Sequence, residues 1–358
     1  MKRLSLAVAL LLTSCGLAVA QDTAAPAKAP AKTEAKSEAT LKIGDPAPAL
    51  TIEKWIKGEP VTGFESGRVY VVEFWATWCG PCIASMPHLT HLQKQYKDQG
   101  LTIIGVTSAD PNNSLKAVEK MVQDKGDVMG YTVAWDKERT TSTAFMKAAR
   151  QSGIPCSFVV DKAGKIAYIG HPMFLDMVLP ETIAGTWDAK TGGEKISQAE
   201  KDLSGLYRSM RGDPAQAIAA IDAFEKKYPT LSDLSTKIKY NAQLMAGDAG
   251  AYITGEKLLA KHIEAKDAEG LNELAWTIVD PQGDVKNKNI EFALKAAQEA
   301  NRLSGEKDAA ILDTLARCWF IKGEKSKAIE IQKKAISFAK GNMKAELEDV
   351  LAEYESSK

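Results

Sequence analysis

Cysteine is scarce in this chain, with five in 358 residues. Cys15 lies in the amino-terminal stretch, and the remaining four are too few to staple a fold of this size. Stability must therefore come from packing, and the length allows two domains. Histidine is scarcer, at four. No second Cys-x-x-Cys accompanies Cys79 and Cys82, and His88 and His91 are read as helix-surface residues, so zinc is the weaker reading of the cysteine pair and no metal or cofactor is expected. Neither sign of charge is in excess: 46 lysines and arginines balance 46 aspartates and glutamates. That balance gives no electrostatic basis for binding nucleic acid. The apolar run Leu4 to Leu12 is too short to span a bilayer.

What that run does fit is export. Met1-Lys2-Arg3 supplies a positive start ahead of it, the pattern of a secretory signal over residues 1–20. Two ends are written into the signal. Ala18-Val19-Ala20 is an A-x-A cleavage site, giving a free periplasmic protein. Leu12-Thr13-Ser14-Cys15-Gly16 is a lipobox, giving a lipoprotein anchored through Cys15. Residues 21–40 are rich in Ala, Pro, Lys, Thr and Glu and hold no aromatic residue, so they cannot bury enough apolar surface to fold and read as a disordered tether.

The chemistry is concentrated in one segment. The apolar run Val69-Tyr70-Val71-Val72-Glu73-Phe74 leads into Trp75-Ala76-Thr77-Trp78-Cys79-Gly80-Pro81-Cys82, a strand feeding a Cys-x-x-Cys at the start of a helix. Free N–H groups and the macrodipole at a helix N-terminus favour a thiolate at Cys79. Gly80 allows the tight turn, and Pro81 suits the first helical turn, where a missing N–H costs nothing. Cys82, one turn in, is the resolving thiol, and Cys79 the attacking one. Glu73 is the single ionisable group of its strand. Buried, it would be partly protonated at neutral pH and could take the proton of Cys82; strand alternation also allows it a solvated face.

These residues resemble the thioredoxin superfamily, and within it the TlpA/ResA-like thiol–disulfide oxidoreductases. In that family an acid precedes the first cysteine by six residues, as Glu73 does, and a proline follows the second by five, as Pro87 does. Ser152-Gly153-Ile154-Pro155-Cys156-Ser157-Phe158 is similar to the family's cis-proline loop. The resemblance, over about residues 41–190, implies a thioredoxin fold, catalysis by Cys79, Cys82, Glu73 and Pro155, and a substrate side formed by Trp78, Gly80, Pro81 and Ile154. It also implies protein or peptide thiols and disulfides as partners, while naming no electron donor. One departure is plain: a lysine that many thioredoxins carry near the acid is missing from Leu101 to Thr107. Cys156 is read as a buried, inert strand cysteine, with a side disulfide to Cys82 as the minor alternative.

From about residue 196 β-branched runs give way to alanine-rich helical periodicity. Asp213 and Pro214 are the N-cap and first turn of a helix ended by Pro229. Asn272-Glu273-Leu274-Ala275 matches Asp313-Thr314-Leu315-Ala316, and Ala293 to Ala300 matches Ala328 to Ala335. Helical hairpins at this spacing are similar to tetratricopeptide (TPR) repeats. Two earlier hairpins (about 197–229 and 232–264) and a last helix near 343–355 complete a short solenoid, whose concave face would suit a protein partner. The chain is thus expected to hold a signal peptide (1–20), a linker (21–40), an α/β thioredoxin-like redox domain (41–192) and an all-α TPR-like domain (196–358). The alternative function is a TPR-type binding or assembly module with a secondary redox domain.

Overall fold

The computed structural model describes residues 40–357 apart from residue 284. The expected signal, and all but the last residue of the expected tether, lie outside the described residues. The redox half is built on strands β1 (Lys54–Lys57), β2 (Val69–Trp75), β3 (Leu101–Ser108), β4 (Thr132–Asp136), β5 (Cys156–Val160) and β6 (Ile166–Gly170), in the order β1-β4-β3-β2-β5-β6. β2, β3 and β4 run parallel; β1, β5 and β6 are antiparallel to their neighbours. Every residue of β2 is buried, as a central strand covered on both faces requires.

Helix α1 (Gly80–Tyr96) follows β2, α2 (Leu115–Lys125) follows β3, and a short α3 (Thr140–Ser142) runs directly into a π turn over Thr143–Lys147; α4 (Leu175–Ala184) follows β6. Alternation along β2 divides the core. Val69, Val71 and Trp75 face Met86, Leu89 and Leu92 of α1 and Leu175, Val178 and Leu179 of α4. Tyr70, Val72 and Phe74 face the other way, onto Phe145 and Met146 of the π turn. There Phe74, Phe145 and Phe158 pack ring to ring with centroids 5.3–5.9 Å apart.

The second half is helical throughout: α5 (Ala189–Ser209), α6 (Pro214–Lys227), α7 (Ser232–Ala246), α8 (Gly250–Glu264), α9 (Ala268–Val279), α10 (Ile290–Leu303), α11 (Ala309–Ile321), α12 (Lys325–Phe338) and α13 (Gly341–Ser356). Local chemistry sets the starts. The side chains of Asp188, Asp213, Asp267, Asn289 and Asp308 each accept a backbone N–H in the first turn of the helix they precede. Small residues set the spacing: Ala275, Ala293, Ala296, Ala297, Ala300, Ala316, Ala328 and Ala335 are fully buried where helices meet.

The expected boundary at 192–196 falls inside α5. Ile196, Ala199 and Leu203 of α5, Ile221 and Phe224 of α6 and Ile238 of α7 join the same apolar cluster as α1, α4 and the sheet. A second core begins at Tyr240 and Leu244 of α7 and runs through α8–α11. Cys318 is buried in that core, and Trp276 and Trp319 pack against it. Two ion pairs tie α9 and the turn before it back to the redox half, Lys125–Glu269 at 2.5 Å and Lys266–Asp127 at 2.7 Å. The Lys266–Asp127 pair is exposed on both sides and contributes little beside the shared core, while Lys125 of the other pair is largely buried.

Candidate active site

Cys79 and Cys82 are joined as a disulfide at the head of α1. Cys79 is the N-cap, and its Sγ accepts the N–H of Cys82 at 3.2 Å. No acidic residue stands in the first turn, so the partial positive charge of the helix start acts on the sulfur unopposed. Pro81 occupies the first turn, where no intrahelical N–H is lost, and Pro87 lies inside the helix. Gly80 and Pro81 are exposed. The Ile154–Pro155 peptide is cis, and Ile154 O lies 3.7 Å from Cys79 Sγ. The structure thus brings together the cysteine pair, Gly80, Pro81, Ile154 and Pro155 from two segments 75 residues apart.

Trp78 stands beside this opening, 55 % exposed, its indole N–H donating to Asp110 Oδ2 at 2.9 Å. The loop ahead of Cys79 is anchored by Asn113, which sequence reasoning did not single out. Its Oδ1 accepts from Thr77 N and Thr77 Oγ1 at 3.0 and 2.7 Å, and its Nδ2 donates to Thr107 Oγ1 and Ser108 O at 2.8 and 2.7 Å. Asn113 is buried and fully used. Its only sequence signal is an Asx-rich turn, Asp110-Pro111-Asn112-Asn113, at the end of an apolar strand.

Glu73 lies in β2, six residues ahead of Cys79, and is 1 % exposed, so of its two expected positions the buried one holds. It pairs in register with Gly105 on β3 and Ser157 on β5. The Ser157 hydroxyl donates to Glu73 Oε2. Burial pushes the carboxyl up to about 8, against which the Ser157 hydrogen bond acts. Glu73 Oε1 and Trp75 Nε1 are buried with no hydrogen-bond partner among the described residues. The lysine missing from β3 has a structural counterpart. A side chain at Gly105 would begin 3.0 Å from the Tyr131 ring and 3.1 Å from Trp75 Nε1, so aromatic rings fill the space beside the acid. Ser157 could have been found as the one polar residue of its strand two positions after the proline.

Cys156 is a free, buried thiol, pushed up to about 12 chiefly by burial. It pairs with Phe74 and packs on the π-turn face, whereas Cys82 packs with the α1 face. The sheet separates the two sulfurs, which removes the side-disulfide alternative. His88 departs from its expected place: it is half-buried, with Nε2 2.9 Å from Asp176 Oδ2 on α4. His91 is exposed, and no metal-ligating cluster occurs among the described residues.

Comparison with known proteins agrees with this layout. The AhpC/TSA family model matches residues 43–169. Protein FixW of Rhizobium leguminosarum is 30% identical over 207 residues, 57% of this chain and 93% of FixW. The thiol-disulfide oxidoreductase ResA of Bacillus cereus is 28% identical over 127 residues, 35% of this chain and 68% of that protein. A thiol:disulfide interchange protein of the thioredoxin family from Chlorobium tepidum TLS is 26% identical, with 39% of this chain and 97% of that one covered at a TM-score of 0.34. Likeness along nearly the whole of FixW, and a family match confined to the sheet and the helices around Cys79, lead to one conclusion: the chain belongs to the AhpC/TSA thioredoxin-like family, among the ResA-like thiol–disulfide oxidoreductases.

Proposed function

We propose that this protein is an exported thiol–disulfide oxidoreductase that exchanges disulfides with protein or peptide thiols through Cys79-Gly80-Pro81-Cys82. The observation that carries the reading is the placement of the Cys79 sulfur, at the N-cap of α1 and 3.7 Å from the carbonyl ahead of the cis-proline. An extended peptide pairing with Ile154 would bring its own sulfur to Cys79. In the reducing direction the Cys79 thiolate attacks the substrate disulfide and one substrate thiolate leaves, taking up a proton. Cys82 then gives up its proton and attacks Cys79 Sγ, which restores the protein disulfide and frees the second substrate thiol. Two electrons pass from the protein sulfurs to the substrate sulfurs. Glu73, whose carboxyl burial raises to about 8, is in its ionised form the proposed acceptor of the Cys82 proton.

The signal pattern of residues 1–20 supports export, to a compartment in which disulfides persist. We assign α5–α7 the task of completing the apolar cluster they share with the sheet, α1 and α4, and the TPR-like array beyond them the recruitment of a partner protein. Insulin reduction in the presence of dithiothreitol tests the exchange reading. Precipitation of the insulin B chain well above the dithiothreitol background is expected, and a rate equal to that background would refute it.

A further inference from the structure

A groove of about 500 Å³ opens beside the disulfide. Trp78 and Ile154 form its inner end, the same residues that flank the Cys79 sulfur. Its outer wall runs from Arg139 through α3 and the π turn to Arg150, and Arg139, Lys147 and Arg150 on it are exposed. A single acid, Asp110, lines it, and that carboxylate already accepts from Trp78 Nε1 and the N–H of Asn112. Arg139, whose guanidinium also donates to Ala109 O at 3.2 Å, and Lys147 therefore set two positive charges against one engaged carboxylate.

The backbone of this wall is unusual in two ways. It contains a π turn, a form that is rare and concentrated at functional sites. It is also bracketed by Arg139 and Arg150 in the left-handed region, at φ of 58° and 57°. Glycine adopts that conformation at no steric cost, whereas an arginine is held there against a steric penalty. At both ends of the wall the residue present is the one that adds positive charge.

We propose that this groove docks an acidic stretch of the polypeptide substrate, carboxylate residues that flank the cysteine under attack by Cys79. The inference rests on the exchange reading above and names the substrate class for it. Exposed charge pairs are individually weak and screened by salt. The expected effect is accordingly a several-fold preference at low salt.

The test uses the full-length protein, reduced and freed of reductant, against three symmetric peptide disulfides that differ only in carrying Glu, Gln or Lys beside the cysteine. Protein dithiol and peptide disulfide give protein disulfide and two peptide thiols, and the second-order rate constant is read at about 20 mM and about 0.5 M salt. The Glu peptide should react roughly five to ten times faster than the Gln peptide at low salt and about twice as fast or less at high salt. Arg139→Gln with Lys147→Gln should bring that ratio to about one, Arg139→Lys should keep it, and Lys147→Glu should turn the preference toward the Lys peptide. Equal rates for Glu and Gln peptides in the wild type, or a preference that survives both the double substitution and Lys147→Glu, would overturn the proposal and leave the exchange reading standing. Failure of the wild type to react with any of the three peptides would overturn both.

Discussion

Glu73 and Ser157 face each other across β2 and β5, and the serine hydroxyl donates to a carboxylate that has almost no contact with water. The pairing stabilises the ionised acid only in part. The carboxyl still titrates near 8 rather than the ordinary 4.5. Folding therefore carries no penalty from this group while it is protonated in both states, at pH below about 4.5. The penalty grows as pH rises from there toward 8, on the order of 4–5 kcal/mol when complete.

Glu73→Gln should remove that pH dependence. In the disulfide state the variant should match the wild type within about 1 kcal/mol near pH 5 and exceed it by several kcal/mol near pH 9. Denaturant unfolding at the two pH values measures the difference, and equal stabilities at pH 9 would mean that Glu73 is not held neutral by burial. The same variant should slow the resolving step in stopped-flow exchange and leave the first attack nearly intact.

Ser157→Ala should push the Glu73 carboxyl higher still, since it removes the interaction that opposes burial. The pH at which the resolving step reaches half its maximal rate should move up by roughly one unit. An unmoved or lowered midpoint would deny the serine its role.

Cys79→Ser should leave less than about a tenth of the exchange rate, because the N-cap sulfur is the one proposed to attack. Cys82→Ser should hold substrates as mixed disulfides on Cys79, seen on non-reducing gels as adducts that collapse with reductant. Adducts on the Cys79→Ser variant in place of the Cys82→Ser one would reverse the two roles.

Asn113→Ala should destabilise the fold by about 2–3 kcal/mol, since it strands Thr77 and the end of β3 without their shared partner. Exchange should slow as well, because the loop carrying Trp78 and Cys79 loses its anchor. A stable variant with unchanged rate would show the loop to be held by other contacts.

Truncation separates the two cores. A chain ending at residue 195 keeps every site residue but strips Ile196, Ala199, Leu203, Ile221 and Phe224 from the cluster they share with α1 and α4. It should be insoluble or bind a hydrophobic dye strongly. A chain ending at Gly247 retains α5–α7, keeps that cluster closed, and should still reduce a small disulfide. Equal solubility of the two would show that α5–α7 are not part of the redox core.

Much of the redox site was legible in the sequence because its logic is local. The run from Val69 to Cys82 encodes a buried strand, a turn and a helix start, and the position of Cys79 at that start follows from proline, glycine and hydrogen-bonding rules within a few residues. The helix caps at Asp213 and the alanine spacing of α9–α12 were readable for the same reason. What tertiary structure decided depends on register and on packing across long separations. Only strand pairing sets Glu73 between Gly105 and Ser157 and turns Cys156 to the opposite face of the sheet from Cys82, and only the packing of α1 beside α4 carries His88 onto Asp176. The domain boundary was lost to the same cause. Composition changes near residue 196, but a helix that buries one face against a sheet belongs energetically to that sheet, and nothing in its own periodicity names the surface it will cover.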